Sequence, residues 1–86
     1  MNAAELQTRL QTALPEVQLQ VQDDSHLHAG HAGAREGGHY SVRLRGACFT
    51  GLSRVARHRL VYDSLGPLAT IGIHALAIDA RAPGEA

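Results

Sequence analysis

Two stretches, Val17-Gln-Leu-Gln-Val-Gln22 and Tyr40-Ser-Val-Arg-Leu-Arg45, alternate apolar and polar residues without a break. Period-two alternation of this kind predicts strands with one packed face and one wet face. Val17, Leu19 and Val21 point inward from the first, and Tyr40, Val42 and Leu44 from the second. Helical spacing flanks them. Asn2 followed by Glu5 has the pattern of a capping box, and Ala3, Leu6, Leu10, Ala13 and Leu14 mark one helical face that Pro15 closes. A second helix is predicted from Ser53 to Leu65, with Val55, His58, Val61, Tyr62 and Leu65 in one sector. Leu52, Ala56 and Leu60 fall outside that stripe, and Arg54 intrudes near its start. Ser53 can cap this helix, and Gly66-Pro67 stops it. Ala69–Ile78, rich in small and β-branched residues, reads as a third strand.

The order is helix, strand, strand, helix, strand, in a single domain over residues 1–86. The fold class is α+β. Both helices cover one face of a three-stranded mixed sheet, and the strand–helix–strand segment makes a parallel crossover. The connection between the first two strands, about 24–38, is far longer than the ~2–5 residues usual in a hairpin. It holds four glycines, with His26, His28 and His31 inside it and His39 at its exit. The tail from about residue 80 to 86 has no apolar period and is expected to fray.

Composition narrows the function. Eight arginines balance eight carboxylates with no lysine, which argues against attachment to nucleic acid or membrane by bulk charge. A lone cysteine, Cys48, excludes an internal disulfide framework and reads as small core filler. No signal peptide or membrane-spanning apolar run is present, so a reducing, cytoplasmic setting is expected. No catalytic triad, carboxylate pair or phosphate loop stands out. Nothing argues for an enzyme.

Six histidines are many for this length. His26-x-His28-x-x-His31 in a glycine-rich loop could turn its imidazoles toward one metal ion. The alternative is a set of solvated loop histidines. His74 lies inside an otherwise apolar strand, where an ionisable group needs a hydrogen-bond partner or a function. His58, on the apolar side of the second helix, reads as structural. Arg54, Arg57, His58 and Arg59 form a short basic cluster, either presented to phosphates or simply a solvated face.

Taken together, Phe49-x-Gly51, Arg57-His58-Arg59-x-Val61-Tyr62-x-x-Leu65 and Ile73-His74-Ala75-Leu76 closely resemble the signature of the BolA family. The resemblance extends to the first helix, to Asp23-Asp24-Ser25 at the start of the loop and to His39 at its exit, covering nearly the whole chain. It implies an α-β-β-α-β fold related to the second class of KH folds. It also implies pairing with a monothiol glutaredoxin, the two proteins sharing a [2Fe-2S] cluster in iron–sulfur maturation, trafficking or iron sensing. On this chain the implied ligands are His74 and His28, with His31, His26 and His39 as less secure candidates for the second. Cys48 does not match the family's cysteine position.

The resemblance fits the composition. A [2Fe-2S] centre usually takes four thiolates, and this chain has one cysteine. A glutaredoxin cysteine and a glutathione thiol on one iron, with two imidazoles on the other, would complete the set. The free chain is then expected to be monomeric and to hold no cluster by itself. Two other functions remain open. A DNA-binding transcriptional regulator would use Arg54, Arg57 and Arg59, although Gly46–Gly51 supplies no KH-type GxxG loop. Simple binding of zinc, copper or nickel by the loop histidines is the other.

Overall fold

The computed structural model describes residues 1–25 and 38–85. The first helix, α1 (Ala3–Ala13), is capped as its sequence predicts. The Asn2 side chain accepts from the Glu5 N–H at 2.8 Å and donates to the Glu5 carboxylate at 2.9 Å. Leu6 and Leu10 are fully buried, while Ala13, assigned to the same face, is exposed. Gln11 closes the turn that follows, donating to the carbonyls of Leu14 (3.2 Å) and Val17 (3.0 Å).

Strand β1 (Gln18–Asp23) pairs antiparallel with β2 (Gly38–Arg45), from Gln18 opposite Arg45 to Asp23 opposite Tyr40. A single 3-10 turn at Ala47–Phe49 inserts Phe49 into the core. Helix α2 (Arg54–Leu65) begins where the Ser53 hydroxyl accepts from the Ala56 N–H at 3.1 Å. It ends at Gly66, whose φ of 76° is left-handed. Strand β3 (Ile73–Arg81) then runs parallel to β2, giving the sheet order β1-β2-β3. Leu6 and Leu10 of α1, Val61 and Leu65 of α2, and Tyr40, Val42 and Leu44 of β2 share one core, so both helices lie on one face of the mixed sheet.

Three local expectations are corrected. The third strand does not begin at Ala69. Leu68–Ile71 is a 3-10 turn ended by left-handed Gly72 (φ 79°), and β3 spans Ile73–Arg81. The apolar sector of α2 is rotated from the expected stripe, because Val55 and Tyr62 are 64% and 39% exposed while Leu60 packs on the core. Residues 80–85, expected to hang loose, have defined contacts. Ala80 and Arg81 continue β3, Ala82 is buried, and Arg57 holds Glu85 through two nitrogen–oxygen contacts, one of them 2.8 Å.

Candidate metal centre

The parallel crossover carries the chain from β2 through α2 to β3, and so brings the start of β2 beside the start of β3. His39 is the second residue of β2 and His74 the second of β3. Their ring centres are 5.0 Å apart with planes inclined at 49°. His74 is exposed, whereas His39 is half-buried with its Nε2 shut away from solvent.

A break in the strand pairing sets this arrangement. Gly38 pairs with Ile73, but His39 pairs with Ala75, so His74 is an extra residue in the ladder. Such a bulge re-aims a side chain. Ile73 on one side of it turns into the core at 2% exposure, while His74 and Ala75 both face solvent. Gly38 has little room for anything larger, since a Cβ there would lie 2.4 Å from the Tyr40 ring. Its N–H donates to the Gly72 carbonyl at 3.0 Å, tying the root of β2 to the turn before His74.

The other side of His39 is fixed by the end of β1. The Asp24 N–H donates to the His39 carbonyl at 2.7 Å, and the His39 N–H donates to the Ser25 hydroxyl at 3.0 Å. Ser25 is in turn held by its own N–H on the Asp23 carboxylate at 2.9 Å. The Asp24 carboxylate accepts from Gln22 at 2.8 Å and from the Ser41 hydroxyl.

The 5.0 Å separation is one that two imidazoles on a single ion could have. With nitrogen–metal bonds of about 2.0–2.1 Å, two rings on a tetrahedral metal have centres about 5 Å apart. Among the described residues no group of three or more His, Cys, Asp or Glu side chains could hold a metal. His26, His28 and His31 lie outside the described residues. His74 and His39 are thus the two sequence-derived candidates that the described fold brings together. His39 lies at the exit of the loop, and although the parallel crossover follows from the order of elements, the register that places His39 beside His74 leaves no local signal in the sequence.

The remaining candidates are scattered. Cys48 is exposed in the turn after β2, contrary to the expectation of a core position, and partial desolvation of its thiol raises its pKa. His58 is half-buried and lines an open groove with Leu52, Arg57 and Glu85. Arg54 and Arg59 are exposed on α2. Arg57 is not part of a solvated basic face. Its guanidinium donates to the carbonyls of Leu52 (3.0 Å) and Ala80 (3.1 Å) as well as to Glu85.

No helix of the described residues is long and apolar enough to cross a membrane. The family model described as BolA-like protein matches residues 10–85. The solved BolA domain of SufE1 from Arabidopsis thaliana is 40% identical with a TM-score of 0.81, over 98% of this chain and 94% of that one. The chloroplastic protein BOLA1 of Arabidopsis thaliana is 38% identical over 96% of the chain, which spans about half (54%) of that relative's length. The DNA-binding transcriptional regulator BolA of Escherichia coli is 34% identical over 85% of the chain and 68% of its own length. With one family model matching most of its length and relatives of this similarity, the chain belongs to the BolA family.

Proposed function

We propose that the chain is an adaptor that shares a [2Fe-2S] cluster with a monothiol glutaredoxin. The observation that carries this reading is the 5.0 Å ring pair of His39 and His74. His74 is the exposed member and meets the partner. The second imidazole comes from His39 or from His28, the latter outside the described residues. Two imidazoles leave half of a four-ligand set to be filled, and sulfur from the partner cysteine and glutathione fills it. Exchanging thiolates for neutral nitrogen raises the reduction potential.

The test is reconstitution with a monothiol glutaredoxin, iron, sulfide and glutathione. The mixed complex is expected to show a visible spectrum distinct from that of the glutaredoxin homodimer. His74→Ala should abolish the difference, and comparison of His39→Ala with His28→Ala assigns the second ligand. A His74→Ala spectrum identical to that of the unaltered chain overturns the assignment.

A second reading, a DNA-binding regulator, is favoured by the name of the Escherichia coli relative. Arg54 and Arg59 would be its contacts, because Arg57 is already engaged with Leu52, Ala80 and Glu85. Two phosphate contacts give a slope of log affinity against log salt of only about −1.8. Duplex binding with a slope near that value, lost in Arg54→Ala/Arg59→Ala, supports this reading. Absence of binding at physiological salt removes it.

A further inference from the structure

We propose that Ser25 is a positioning residue, holding the His39 imidazole beside His74 from outside the pair. The inference rests on the adaptor reading for its purpose, but its geometry stands on the hydrogen bonds around His39. In the β1–β2 ladder, Asp24 and His39 occupy the rung beyond Asp23 and Tyr40. A regular antiparallel rung of the hydrogen-bonded kind exchanges two N–H···O=C bonds. Here only one is regular, from the Asp24 N–H to the His39 carbonyl at 2.7 Å. The return bond goes to a side chain, since the His39 N–H donates to the Ser25 hydroxyl at 3.0 Å.

Ser25 therefore stands in for a strand carbonyl at the point where the chain leaves the sheet. Its own orientation is set by its N–H on the Asp23 carboxylate, and the neighbouring Asp24 carboxylate is fixed by Ser41 and Gln22. The three consecutive residues Asp23, Asp24 and Ser25 grip the peptide units on both sides of His39. On the opposite flank the Gly38 N–H bonds to Gly72, two residues before His74. The backbone that carries His39 is thus pinned between the end of β1 and the turn before β3. The imidazole consequently has a fixed platform from which to meet His74. Without the hydroxyl, the His39 N–H loses its acceptor and one side of that platform is released.

Ser25→Ala and Ser25→Thr separate this role from simple folding. In the metal-free protein, Ser25→Ala should speed exchange of the His39 amide about tenfold, as expected for one lost hydrogen bond, and weaken the cross-peaks between the His39 and His74 rings. In the glutaredoxin complex it should speed cluster release several-fold, and Ser25→Thr, which keeps the hydroxyl, should restore all three quantities. Unchanged amide protection and ring contacts in Ser25→Ala overturn the proposal. So does a looser His39 in Ser25→Ala whose cluster is released at the rate of the unaltered chain. Failure of the unaltered chain to form a mixed complex instead overturns the adaptor reading, while the metal-free measurements still decide whether Ser25 fixes His39.

Discussion

Val55 and Tyr62 look apolar in the sequence and yet face water, at 64% and 39% exposure. They lie about 100–120° around the helix from Val61, which is fully buried. The side chain that shares the buried sector with Val61 and Leu65 is Arg57, whose own side chain is 15% exposed. A periodicity argument scores an arginine as outward, although its long stem can cover apolar surface while the charged head reaches a partner. Arg57 follows that pattern, its head reaching Leu52, Ala80 and Glu85. Serine at Val55 or Tyr62 should therefore change stability by less than about 0.5 kcal/mol. Phe49→Ala, at a site with 0% exposure, should cost about 3–5 kcal/mol, as read from denaturant unfolding. The fully buried Phe49 was not placed by alternation or helical spacing, because it sits in a three-residue turn too short to carry a period.

At the scale of elements, the predicted order and the strands of the hairpin were legible because each has a strong local signal. Alternation marks β1 and β2, and side-chain caps mark both helices. The start of β3 was not legible. The stretch from Leu68 to Ile78 is mostly apolar on both sides of the boundary, and only left-handed Gly72 divides turn from strand. The stop of α2 gives a clean test. Gly66 has φ 76° and nothing within 4 Å of where a Cβ would be, so Gly66→Ala suffers backbone strain alone. A loss of about 1–3 kcal/mol is expected, with no change in the ring contact between His39 and His74. Ser53→Ala, at the other end of the same helix, should cost about 1 kcal/mol through the lost Ala56 bond.

For the whole molecule, the end of the chain is bound by charge rather than by apolar periodicity, which is why its order could not be foreseen. The Glu85 carboxyl is lowered from 4.5 to about 2, first by its bond with Arg57 and then by the Ala82 N–H. A carboxylate shifted downward contributes in full above its unfolded value and loses that contribution as acid brings the pH through the folded one. Residues 82–85 should therefore stay bound above about pH 4.5 and come loose as the pH falls toward about 2. Side-chain NMR titration of Glu85 checks this, and Arg57→Ala should return its midpoint toward the ordinary carboxylate range. The candidate site was half legible. His74 stood out as an ionisable residue in an apolar strand, whereas the adjacency of His39 depends on a contact between residues 35 positions apart, which no local pattern reports.

The slipped rung between β2 and β3 has a mechanical consequence for the adaptor role proposed above. His74 belongs to neither of the rungs beside it, Gly38 with Ile73 and His39 with Ala75. For the proposed adaptor, movement of His74 on such a supernumerary link would leave the rungs from Tyr40 and Leu76 onward zipped. Handing over a metal cargo would then require the motion of one residue, and the domain could discharge and reload without opening its sheet.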